Sequence, residues 1–124
     1  MTTPAKPEVT LPPAVPTSLM IEDLVEGDGA EATPGSLVDV HYVGVALSTG
    51  SEFDSSYGRS EPLTFQLGAG QVITGWDKGV QGMKVGGRRQ LTIPAHMGYG
   101  ARGAAGVIAP NETLVFVCDL VGVH

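Results

Sequence analysis

The chain is short of the features that many functions require. Of its 124 residues one is cysteine, Cys118, so no internal disulfide framework can form. Basic side chains are scarce as well. Seven Lys and Arg stand against thirteen Asp and Glu, a formal charge of −6. Phosphate backbones are bound by basic faces, and Arg88 with Arg89 cannot build one, so nucleic acid is excluded as the main partner. No apolar run approaches the roughly 20 residues that span a bilayer. The opening stretch, MTTPAKPEVTLPPAVP, has no apolar core of the secretory-signal kind. The expectation is a soluble cytoplasmic protein with no membrane partner, in which the Asn111-Glu112-Thr113 sequon is silent.

Catalytic and metal motifs are missing too. His41, His96 and His124 are scattered at spacings that do not suit zinc, so no metal site is expected. No serine sits in a G-x-S-x-G elbow, which leaves nucleophilic hydrolysis without an anchor. Cys118 falls on the apolar face of a strand pattern and reads as an inert core thiol. One motif is a decoy. Gly98-Tyr99-Gly100-Ala101-Arg102-Gly103 fits GxGxxG, but a dinucleotide site needs that turn between a strand and a helix of a βαβ unit. Here Pro94 precedes it and AAGVIAP follows.

What is present describes one domain. Hydrophobic residues make up 42%, ordinary for a globular chain, and at this length roughly two-thirds of the unfolded surface can be buried. Residues 1–18 hold five of the nine prolines and are expected to form a flexible arm ahead of a domain over 19–124. The alternative is an extended edge packed on the domain, anchored by Val9 and Leu11.

The domain has one stretch with helical periodicity, QVITGWDKGVQGMKVGGRRQ from Gln71 to Gln90. Trp76, Val80 and Met83 share a face at i, i+4 and i+7. Thr74 is placed to cap the first turn, with Asp77 as its capping-box partner, and Gly82, Gly86 and Gly87 end the helix. Around it lie strand patterns. SLVDVHYVGVAL alternates Val38, Val40 and Tyr42 against outward residues and predicts a half-buried strand. LTFQL, RRQLTIP and TLVFVCDLVGV follow with their own inward sets. Strands outnumber helices and no second helix supports parallel crossovers, so an α+β fold is expected, a curved antiparallel sheet wrapped around one short helix. The segment from His96 to Pro110 is long for a loop in a compact domain and is the first place to look for function.

Tyr42, Phe53, Asp54, Phe65, Trp76, Tyr99 and Phe116, with Val72, Ile73 and Ile108, admit two readings at this point. They are the core, or several of them line a concave apolar pocket with a few polar groups.

Taken together, HYVG (His41–Gly44), EFDSS (Glu52–Ser56), QLG (Gln66–Gly68), QVITGWDKGVQGMKVG, LTIP, GYGARG and LVFVCDL strongly resemble the FKBP-type peptidyl-prolyl isomerases. The match runs in order over about 100 residues from Ile21 onward, and the combination is specific where any one piece is weak. The resemblance implies rotation of X–Pro bonds in proline-containing peptides and protein loops. It implies no cofactor and a pocket that also takes macrolides such as tacrolimus and rapamycin. A monomer is expected, since the sequence shows no heptad and no large exposed apolar strip. By position it implies Trp76 as pocket floor and Tyr42, Phe53 and Phe116 as walls. Asp54, oriented by Tyr42 and Arg59, and the Tyr99 hydroxyl would be polar contacts. Val72, Ile73, Ile108, Leu63 and Val107 complete the substrate and macrolide surface, with the Ile73 N–H as a donor. Leu63 stands where the family often has an aromatic, Gln71 where it often has an acid, and Ala104 and Ala105 at a loop tip that often carries other side chains. A non-catalytic module that grips prolyl segments, or a chaperone-like holder, is the alternative function.

Overall fold

The computed structural model describes residues 5–59 and 61–124. Six strands form one antiparallel sheet: β1 (Met20–Val25), β2 (Leu37–Ala46), β3 (Glu52–Ser55), β4 (Leu63–Gln66), β5 (Arg88–Ile93) and β6 (Leu114–Val123). Their spatial order is β1-β5-β6-β2-β3, and β4 pairs with the first half of β2 while β3 pairs with its second half. Among the described residues one α-helix, α1 (Thr74–Gly79), forms, and it lies in the concave side. This is the expected architecture.

The core is the set of inward side chains of each strand closed over the helix. Val38, Val40 and Tyr42 of β2 face Leu91 and Ile93 of β5 and Leu114, Phe116, Cys118 and Leu120 of β6, with Trp76, Val80 and Met83 filling the centre. Burial, and then the nearby Asp119 charge, push the Cys118 thiol far above its ordinary pKa, as an inert thiol requires. The two-residue period of the strands thus does most of the sorting.

Three details differ from the sequence pattern. First, α1 is only six residues long, and Met83 reaches the core through the turn beyond it. The helix stops because Gly82 turns into positive φ (87°) and gives its N–H to the Ala32 carbonyl instead of continuing the helical ladder. Second, no side chain caps the helix. Ile73 is the N-cap residue, and its carbonyl takes the N–H groups of Trp76 and Asp77. Asp77 instead reaches back to accept the N–H groups of Gly68 (3.0 Å) and Gly70 (2.9 Å), tying the preceding loop to the first turn, where a carboxylate also suits the helix dipole. At the other end the Arg89 guanidinium donates to the carbonyls of Gly79 and Gln81, both at 2.9 Å, and is itself held by Asp23 of β1.

Third, β2 is covered on both faces rather than one. His41, Val43 and Val45 on its outer side, and Val115 and Val117 beside them on β6, are buried. Residues 1–4 of the proline-rich segment lie outside the described residues. From Ala5 onward the segment crosses this outer face. The Ala5 carbonyl accepts from Arg88 Nη2 (2.7 Å), the Thr10 carbonyl accepts from Gln90 Nε2 (2.8 Å), and Lys6 pairs with Glu52 (2.9 Å). Val9 is half-buried there and Leu11 is exposed.

Candidate active site

Nine of the residues singled out in the sequence line one cavity of about 200 Å³: Tyr42, Phe53, Asp54, Leu63, Val72, Ile73, Trp76, Tyr99 and Phe116. Gln71, noticed in the sequence only as a departure from the family pattern, is the tenth. Four strands (β2, β3, β4 and β6), the helix and two loops meet there, so nothing in local sequence spacing brings these side chains together. Ile108 is buried in the adjoining core and Val107 is 58% exposed, and neither lines the cavity. Ile108 is engaged in closing the loop tip, where its N–H and carbonyl exchange hydrogen bonds with Ala104. Phe65 stands behind Trp76 as core.

The floor is the Trp76 indole. It is nearly perpendicular to the rings of Tyr42 (centroids 4.9 Å, 84°) and Phe116 (5.3 Å, 87°), and Phe53 meets Phe116 in the same edge-to-face way at 5.5 Å. Such contacts are favoured over flat stacking because ring edges are positive and faces negative. The indole N–H has no partner among the described residues and is closed to solvent, so Trp76 offers a ligand an apolar surface and no donor. Gly44 makes the walls possible. A Cβ on this residue would lie 2.6 Å from Phe116 and 2.7 Å from Phe53, so only glycine lets both rings approach the β2 backbone.

The polar side of the cavity is a closed triad. The Tyr42 hydroxyl donates to Asp54 Oδ2 (2.6 Å), while Arg59 donates to Asp54 Oδ1 (3.1 Å) and to the Tyr42 oxygen (2.8 Å). Burial pulls the Asp54 pKa upward. The hydrogen bonds from Tyr42 and Arg59, the Arg59 charge and the Ser55 N–H together outweigh it, so the net shift is downward. For Tyr42 burial and the Asp54 carboxylate act in the same direction and raise its pKa above the usual tyrosine value. Asp54 is therefore an anion with its charge spent on two donors, a poor base and a poor nucleophile.

Two donors face the opening. The Tyr99 hydroxyl, on a residue 43% exposed, has no protein partner among the described residues. The Ile73 N–H likewise has none there, as expected for an amide just ahead of a helix. Gln71 keeps the acceptor role of an acid, since its Oε1 takes the Gln66 N–H at 2.8 Å. Among the described residues no three His, Cys, Asp or Glu side chains come close enough to share a metal ion. A second groove, about 230 Å³, lies near Asp23, Lys84 and Arg89, where Arg89 is paired with Asp23 and donates to the Gly79 carbonyl. Ser56, noticed in the sequence only as the end of the EFDSS motif, accepts the Tyr42 N–H at its Oγ (2.7 Å) and so fixes the strand beneath the cavity.

Known proteins share this sequence family and fold. The model of the FKBP-type peptidyl-prolyl cis-trans isomerase family matches residues 29–121. An FK506-binding protein of Streptomyces anulatus is 67% identical over 120 residues, 95% of this chain and 97% of the relative. One from Neisseria meningitidis serogroup A is 59% identical over 107 residues, 86% of this chain and 97% of the relative. Among solved structures, the crystal structure of AtFKBP13 superposes with a TM-score of 0.78 at 43% identity, covering 87% of this chain and 94% of that one. With the fold, the family model and relatives of this identity in agreement, the chain belongs to the FKBP-type peptidyl-prolyl cis-trans isomerases.

Proposed function

We propose that the Trp76 cavity binds the prolyl ring of peptides and exposed protein loops and speeds rotation about the preceding bond without covalent chemistry. The same cavity takes macrolides of the tacrolimus and rapamycin type. The observation that carries this reading is an aromatic cavity whose one carboxylate, Asp54, is already saturated by Tyr42 and Arg59. The names of the relatives, which refer to FK506, support the macrolide part.

Rotation must break amide resonance, a barrier of about 18–20 kcal/mol, and free X–Pro bonds exchange in tens to hundreds of seconds. Exchange at around 10³ per second would need about 7 kcal/mol off that barrier. Two hydrogen bonds from Tyr99 and Ile73, at about 1 kcal/mol net each, fall well short. Desolvation has to supply the rest. The twisted amide is less dipolar than either planar isomer, so a dry aromatic site favours it relative to water. Tyr99 and the Ile73 N–H then serve to hold the flanking carbonyls while the bond turns.

Exchange spectroscopy by NMR on a Leu-Pro or Phe-Pro peptide, with and without tacrolimus, tests the reading. Acceleration abolished by the drug is expected, along with a loss of about tenfold or more in Phe53→Ala, which removes a wall of the cavity. Binding of peptide and drug with no acceleration would replace this reading with a prolyl-binding module.

The pH profile follows from the triad. Asp54 has a lowered pKa, so its ionised, bonded form is complete above the unfolded value near pH 4 and is lost only as pH falls through the lower folded value. Tyr42 has a raised pKa and stays a neutral donor until the pH is above about 10. The kcat/KM for exchange is therefore expected to be flat from about pH 5 to 9. A limb near neutrality would mean that another titrating group takes part.

A further inference from the structure

The turn that supplies Arg59 to the cavity is anchored on the opposite side of the sheet. It is a three-residue 3-10 turn, Tyr57–Arg59, directly after β3 and Ser56. Its last residue reaches the cavity, where Arg59 donates to Tyr42 and Asp54. Its first residue points the other way. The Tyr57 ring stacks on His41, an outward residue of β2 that is 2% exposed, with centroids 5.0 Å apart and planes 25° apart. The Tyr57 hydroxyl donates to Asp119 Oδ2. Asp119 lies opposite His41 and also opposite Arg88, so the three residues form a row across β2, β6 and β5. Arg88 Nε donates to Asp119 Oδ1 at 2.7 Å, and His41 Nδ1 lies 2.9 Å from the Ser56 Oγ that holds the Tyr42 N–H.

Arg59 needs such an anchor. Its ion pair with Asp54 is solvent-exposed, and exposed pairs barely offset the entropy of ordering a long side chain. Within the turn none of the three residues is buried, and Gly58 meets no neighbour to pack against and adds backbone freedom. One backbone bond closes the turn, from Arg59 N–H to the Ser56 carbonyl at 3.1 Å. Tyr57 is the residue of the turn with both a partly buried hydroxyl bond and an aromatic stack on the sheet. Burial and the adjacent Asp119 carboxylate raise its pKa far above the tyrosine norm, which keeps the hydroxyl a donor.

We propose that Tyr57 is a positioning residue for the prolyl cavity: moored to Asp119 and His41 on the outer face, it holds the turn so that Arg59 stays on Tyr42 and Asp54. The inference deepens the isomerase reading and rests on it for its kinetic test. Tyr57 does not line the cavity.

Tyr57→Phe retains the stack and removes the hydroxyl. It is expected to lower kcat/KM for X–Pro exchange roughly fivefold, the effect of losing one ordering hydrogen bond. In an Arg59→Ala background the same change is expected to leave kcat/KM within about 1.5-fold, because the two residues act through one route. A merely structural Tyr57 would lower Tm in both backgrounds and leave kcat/KM unchanged, or lower it by the same factor in both. Either result overturns the proposal. A wild-type chain without any acceleration would sink the isomerase reading alone. The positioning proposal is then decided by NMR order parameters of the Arg59 Nε–Hε group. It should be ordered in the wild type and mobile in Tyr57→Phe, and equal order in the two overturns the proposal.

Discussion

Trp76→Ala is expected to cost about 3–5 kcal/mol of stability, the range for deleting a large buried aromatic, and to lower kcat/KM for prolyl exchange by about tenfold or more. Domains of this kind are stable by only about 5–15 kcal/mol, so the change removes about a fifth of the total or more. The reason lies in the contacts. Trp76 is packed edge-to-face against Tyr42 and Phe116, leans on Phe65, and closes the floor of the cavity from below. Removing it takes away the largest side chain of the helix and joins the ligand cavity to the core. The new space opens toward solvent, and water entry there favours the lower end of the stability range. Urea denaturation and exchange NMR on the same sample separate the two effects. An unchanged denaturation midpoint together with kcat/KM within about twofold of wild type would refute the role of the indole as floor.

Gly75→Ala is the second large effect, and its sign has to be argued. Alanine is the better helix former by about 1 kcal/mol, which alone predicts stabilisation. Gly75 packs against β5, however, where an added Cβ would fall 2.5–2.7 Å from three atoms of Ile93, a fully buried side chain. Gly79, one turn later, meets Leu91 in the same way at 2.7 Å. Overpacking of this kind costs about 1–3 kcal/mol, which exceeds the propensity gain. The helix must also move away from the sheet, and Trp76 moves with it. A net loss of stability and a fall in kcat/KM larger than the stability loss explains are therefore expected. A higher Tm than wild type would show that Ile93 can yield and that the glycine is not needed for close approach. The two glycines on one side of α1 thus act as spacers that set the depth of the cavity floor.

The sequence determined by itself what depends on short-range periodicity and on motif content. Alternation of apolar residues in β2, β5 and β6 marked Val38, Val40, Tyr42, Leu91, Ile93, Phe116 and Cys118 as inward, and each is. One helix among several strands with no second crossover implied a curled antiparallel sheet, and the QVITGWDKGVQGMKVG stretch together with its companion motifs pointed to the family. Other features were decided only by contacts between residues far apart in the chain. Asp77 forgoes the capping box suggested by its spacing from Thr74 because two loop amides at Gly68 and Gly70 compete for the same carboxylate. The helix stops at Gly79 rather than carrying Met83 because the Gly82 amide is claimed by the Ala32 carbonyl. The outer face of β2, polar at His41 in pattern, is buried because Tyr57 and the segment from Ala5 lie across it. Val107 and Ile108 belong to a loop whose tip bonds to itself, which turns one outward and the other into the core. Periodicity reports which way a side chain faces within its own element. Partners, caps and the far side of a sheet are set by which distant groups reach the same donor or acceptor first, and only the folded chain brings those competitors together.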